Sequence, residues 1–170
     1  MQVKQRLEQQ LRTVRGISEQ ALSVFTSPAD WTFQPHPQAN HALWFVGHIG
    51  MVDNFMASRI DPARVDSPAG YREKFGMGSR PSGNPADYPP VEEALAFFRA
   101  RRAVVMELLA GLSDEDLAKP LPPGGPSFMT DVASVFESAA WHEALHLGQV
   151  TVARRALGHA PMADMPPRAA

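Results

Sequence analysis

Trp141-His142-Glu143-Ala144-Leu145-His146-Leu147-Gly148-Gln149 decides how the rest of this chain reads. Residues four apart on an α-helix lie one above the other on the same face, so His142 and His146 project side by side. Two imidazoles held that way can share one divalent transition metal. Around them Val132, Val135, Phe136, Ala139, Gln149, Val150, Ala153 and Leu157 recur at helical spacing, in what reads as a single stripe through both histidines. The pattern therefore predicts that this face points inward. Imidazole nitrogens without partners in a core are costly. A metal ion supplies a partner to both at once; hydrogen bonds to neighbouring core groups are the plainer alternative.

Bulk properties narrow the class. The 170 residues suffice for a domain with a substantial core. A net charge of -2 offers no basic field to a nucleic acid. There is no cysteine, which excludes disulfides, thiolate ligands and a cysteine nucleophile; thiol chemistry here needs a thiol brought by a co-substrate. The N-terminal residues 1–15 are polar and charged, without the apolar segment of a signal peptide. No apolar run approaches the roughly 20 residues of a membrane span. The expectation is a cytoplasmic protein acting on a small molecule, with no nucleic-acid or membrane partner. A homodimer is left open.

Prolines divide the chain, because helix interiors exclude them. Four long windows lack proline: 1–27, 38–61, 91–119 and 127–160. With no period-2 alternation long enough for a sheet, the reading is all-α: four helices in one domain over residues 1–160, then a frayed tail at 161–170. The first helix, 3–25, has Val3, Leu7, Leu11, Val14, Ile17, Ala21 and Phe25 inward and a close contact at Gly16. The second opens with Asn40 as its N-cap. It presents His41, Trp44, Phe45, His48, Val52, Phe55, Met56 and Arg59 on one face, with Gly47 and Gly50 letting a neighbour approach. The segment 60–90 has no clear periodicity, and a segment this long suits a return path between parallel helices with some cover for a site. Its Tyr71, Arg72, Lys74, Phe75, Arg80 and Tyr88 read as solvated surface. The third helix, 91–112, turns Leu95, Phe98, Val105, Leu109 and Leu112 inward and leaves Arg99, Arg101 and Arg102 to solvent. Gly158 ends the fourth.

His142-Glu143-Ala144-Leu145-His146 matches the H-E-x-x-H spacing of zinc proteases. That chemistry needs a third ligand, and downstream lie only His159 and Asp164. A di-iron carboxylate bundle needs Glu-x-x-His twice, and the chain supplies it once. The second helix is the better source. If helices two and four are antiparallel, their midpoints, near Gly50 and Glu143, lie level. His48 then faces His142 and His146, while His41 stands about 10 Å farther along the axis. The expected ligands are His48, His142 and His146, with His41 a core residue or a support behind them.

This arrangement of His41, Trp44 and His48, a long loop, and then His142-Glu143-Ala144-Leu145-His146-Leu147-Gly148-Gln149 resembles the DinB-like superfamily over nearly the whole chain. The resemblance implies a four-helix bundle of up-down-down-up topology and a three-histidine metal site with open positions. Leu147 departs from it, since many members carry a basic residue there. Characterised relatives include transferases and isomerases that use bacillithiol, mycothiol or glutathione. The resemblance thus implies a metal-dependent enzyme, foremost a low-molecular-weight-thiol S-transferase, using zinc, nickel or iron. A non-catalytic metal-binding module and a metal-dependent hydrolase are the alternatives. In such a site Glu143 reads as a base or as a partner behind the ligands, against a solvated helix residue. Gln149 reads as a donor behind His146, against a core amide.

Overall fold

The proline-free windows become the long helices of an all-α fold in the computed structural model, which describes residues 2–164. In chain order the helices are α1 (Val3–Leu22), α2 (Pro28–Trp31), α3 (Ala42–Ile60), α4 (Tyr71–Phe75), α5 (Val91–Ala110), α6 (Asp114–Leu117) and α7 (Val132–Ala156). Among the described residues the only β pairing is an isolated bridge between Pro120 and Asp131. No helix there is long and apolar enough to cross a membrane.

Contacts between side chains give the sense of each helix. Lys4 reaches the carbonyls of Ala110 and Leu112, and Arg15 reaches that of Phe98, so α1 and α5 are antiparallel. Gly50 meets Phe97, Asp53 meets Arg102 and Arg64 meets Glu107; α3 and α5 therefore run in the same direction. His48 opposite His142 and Asn40 opposite Gln149 make α3 and α7 antiparallel. The segment between α3 and α5 travels the length of the bundle to make that parallel pair.

Helix ends follow their capping chemistry. Asp131 opens α7 by accepting from the Ser134 amide, at 2.9 Å. Gly158, at φ 89°, closes it in the left-handed conformation that glycine adopts without steric cost. The cap of α3 differs from the expected Asn40. His41 takes the position, its Nδ1 accepting from the Trp44 amide at 3.0 Å, and this frees Asn40 for α7.

Other expectations are corrected. Helix α1 stops at Leu22, although Phe25 still packs in the core. Val3 and Ile17 are exposed, and among the described residues a side chain at Gly16 would meet nothing within 4 Å, so the expected close contact is not made there. Gly47 and Gly50 do admit close neighbours: an added Cβ would lie 2.3 Å from the Phe75 ring at Gly47 and 2.5 Å from the Phe97 ring at Gly50. Phe75 and Tyr71 are therefore core residues, buried with Trp44 and Phe97. A two-turn pattern cannot be read from a five-residue helix, which is why 60–90 looked featureless. Arg101 and Arg102 are buried too; Arg101 donates to the Arg64 carbonyl. Of the expected tail, 161–164 include a 3-10 turn at Met162–Asp164, and 165–170 lie outside the described residues.

Candidate metal centre

The core stripe of α7 runs through Phe136, Ala139, Glu143, Leu147, Val150 and Arg154. The histidines lie on the next strip of the helix surface, half-buried, where α7 faces α3 across a cavity. The single stripe read from the sequence is thus two adjacent ones. Leu147 is a core residue, out of reach of the cavity.

His48 comes from the second long helix, as level-matching of α3 and α7 requires. One nitrogen from each of His48, His142 and His146 lies within 4.8 Å of the others. His41 stays out of the group, buried at the start of α3 with its ring edge against Tyr88.

Hydrogen bonds fix the tautomers. His48 Nδ1 donates to the Phe75 carbonyl at 2.7 Å, which leaves Nε2 as a lone pair. The same ring stacks on Trp44, 4.3 Å between centroids and 12° from parallel. His146 Nδ1 donates to Gln149 Oε1 at 3.0 Å, and that oxygen also accepts from the Asn40 amide at 2.8 Å. His146 Nε2 is thereby turned to the cavity. Gln149 acts as an acceptor, where the sequence suggested a donor. Neither Asn40 nor the Phe75 carbonyl was legible as a support, since both depend on α3, α4 and α7 converging.

Burial lowers His48 to a pKa of about 4 and His142 likewise to about 4, so both rings are neutral near pH 7 and carry the lone pairs a metal needs. His48 Nε2 and His142 Nε2 stand 3.1 Å apart. Two lone pairs at that separation repel unless a proton or a cation sits between them. Around one zinc-sized ion, with bonds of roughly 2.1 Å, neighbouring nitrogens lie about 3.0–3.4 Å apart. The donor set therefore fits a divalent transition metal.

Glu143 is placed elsewhere. One residue on from His142, it points into the core with no exposed surface. Arg15 Nε donates to its Oε1 at 2.9 Å, and Arg102 lies 2.7 Å from its Oε2. Arg15 and Arg102 also bind Asp53, at 3.0 and 2.9 Å. One charged residue from each of α1, α3, α5 and α7 thus meets in the centre of the bundle, behind the histidines. The carboxylate read as a base is held by two guanidiniums.

The cavity beside the histidines has a volume of about 710 Å³. Its walls come from α3, α4, α7, the 76–79 turn and 126–129, and among the described residues no aspartate or glutamate lines it.

The acceptor at Gln149 makes a prediction. Gln149→Ala removes the partner of His146 Nδ1, and loss of such a support costs roughly 10–100-fold in metal affinity. Competition against a chromophoric chelator measures it; unchanged affinity would show that the His146 tautomer needs no support.

The family model described as the DinB superfamily matches residues 10–150. A comparison with curated proteins finds no match.

Proposed function

The chain belongs to the DinB superfamily, and on that premise we propose that it is a metal-dependent enzyme transferring a low-molecular-weight thiol to a small electrophile. The observation that carries this reading is the three-histidine cluster opening on a large cavity. A purely structural metal is closed off by four protein ligands, whereas three ligands beside open space leave room for a reactant. His48, His142 and His146 would hold the ion, and zinc, nickel and iron all suit imidazole. Bound there without an anionic ligand, a divalent ion would supply the Lewis acidity that lowers the pKa of a thiol.

The chain's own residues do the rest. Phe75 and Gln149 hold the ring orientations, and Trp44 covers one face of His48. The sulfur electron pair forms the new bond to the electrophilic carbon, and the leaving group departs with the pair it shared. The thiol proton passes to solvent, because among the described residues no carboxylate lines the cavity. Glu143 has no part in proton transfer in this reading.

Protein purified without a nickel column, assayed with glutathione, mycothiol and bacillithiol against an activated aryl halide, tests the reading. Metal should be present at one per chain. Chelation should return thiol consumption to the uncatalysed rate, and added metal should restore it. Stoichiometric metal with no thiol consumption for any of the three would favour a non-catalytic metal-binding module.

A further inference from the structure

The cavity has walls that a metal centre alone does not require. Four methionines line it, and Phe55 and Phe128 flank its mouth. Met77 is 98% exposed, Phe55 44% and Phe128 54%. Single exposed apolar side chains are ordinary, but several gathered around one cavity mark a binding surface for an apolar group. Methionine is unbranched and adapts to ligands of varied shape. Met77 stands between Gly76 and Gly78, the latter at φ 83°, so the turn that carries it is built around glycine.

Among the described residues the same lining includes one permanently charged residue, Arg72 on α4. Among the described residues its guanidinium has no ion-pair partner. The turn beneath it is anchored: Tyr71 and Phe75 are buried on either side of it, and the Arg72 carbonyl accepts from the Gly76 amide. A guanidinium without an ion-pair partner, exposed on a fixed element at the edge of a cavity that no carboxylate lines among the described residues, selects an anion.

We propose that the cavity takes an amphipathic carboxylate, its apolar body against the methionines and phenylalanines and its carboxylate paired with Arg72. This rests on the reading above in one respect: such a molecule is the acceptor substrate only if the histidine centre is catalytic. Binding itself needs no metal, which separates the two ideas.

Decanoate, decanol and decyltrimethylammonium are the probes, titrated calorimetrically into the full chain, both metal-free and zinc-loaded. In metal-free protein decanoate should bind on the order of tenfold tighter than decanol, as a charge-assisted bidentate pair allows, and the cation weakest. Arg72→Gln should erase that preference while leaving decanol affinity unchanged; Arg72→Lys should keep only part of it. Circular dichroism shows whether each variant is folded. Equal binding of decanoate and decanol overturns the proposal, as does a preference that survives Arg72→Gln, or binding of none of the three. A preference seen only with zinc and insensitive to Arg72→Gln would place the carboxylate on the metal, defeating the Arg72 assignment and supporting the metal centre. A preference that tracks Arg72 in protein unable to bind zinc would leave the proposal standing and remove the metal reading.

Discussion

His48→Ala, His142→Ala and His146→Ala should each emerge from purification lacking most of their metal, while His41→Ala retains it. The contrast rests on geometry. Three nitrogens lie within 4.8 Å of one another, and His41 belongs to a different part of α3. Removing any one imidazole leaves two ligands, too few to hold a labile divalent ion tightly. The variants should stay folded, because the two large apolar clusters are built without the histidines. His41→Ala loses an N-cap, typically worth about 1 kcal/mol, and so should melt earlier without losing metal. Metal analysis alongside circular dichroism reads both effects. Near-full occupancy in any of the first three variants would remove that residue from the ligand set. Loss in His41→Ala equal to theirs would mean that the α3 register differs in solution.

Much of this centre could be read from the chain because its information is local. His142 and His146 share a helix face by spacing alone, and His48 follows from matching the midpoints of two antiparallel helices. The supports could not be read that way. The Phe75 carbonyl reaches His48 only because the ring of the same residue fills the space left by Gly47, in a short helix with no period to detect. Asn40 has good N-cap chemistry, but the adjacent His41 imidazole reaches the same amide and displaces it.

The buried arginines are a different case, because a signal for them exists. Phe98, Arg102, Val105 and Leu109 follow one another at helical spacing, and so do Leu7, Leu11 and Arg15. On α7 Glu143 falls between Ala139 and Leu147, and on α3 Asp53 falls between Ile49 and Met56. Two cations and two anions, each interrupting an apolar stripe on a separate helix, can be buried together with no net charge. Reading arginine as solvated by default hides this, since the stripe of one helix says nothing about the charges on the other three.

That cluster leads to the second large effect. Asp53→Ala should destabilise the protein by about 3–5 kcal/mol, as expected when one member of a buried ion-paired group is removed. Asp53 has no exposed surface and binds both Arg15 and Arg102. Without it two guanidiniums share the single carboxylate of Glu143, and donors lose their acceptor far from water. Total stabilities are about 5–15 kcal/mol, so this variant would approach its unfolding threshold. Glu107→Ala is the control: it removes an ion pair with Arg64 whose carboxylate side chain is 67% exposed and screened by water, and should cost far less than Asp53→Ala. Urea unfolding measures both. Replacing the whole group at once, with Arg15→Met, Asp53→Leu, Arg102→Met and Glu143→Leu, should cost far less than Asp53→Ala alone, because no charge is left unpaired. Glu143→Gln completes the argument: it should lower stability yet leave metal content unchanged, and leave any thiol transfer unchanged well below its melting temperature. A loss of turnover in folded, metal-loaded Glu143→Gln would return that carboxylate to the chemistry. An Asp53→Ala cost as small as that of Glu107→Ala would mean that water reaches the four charges.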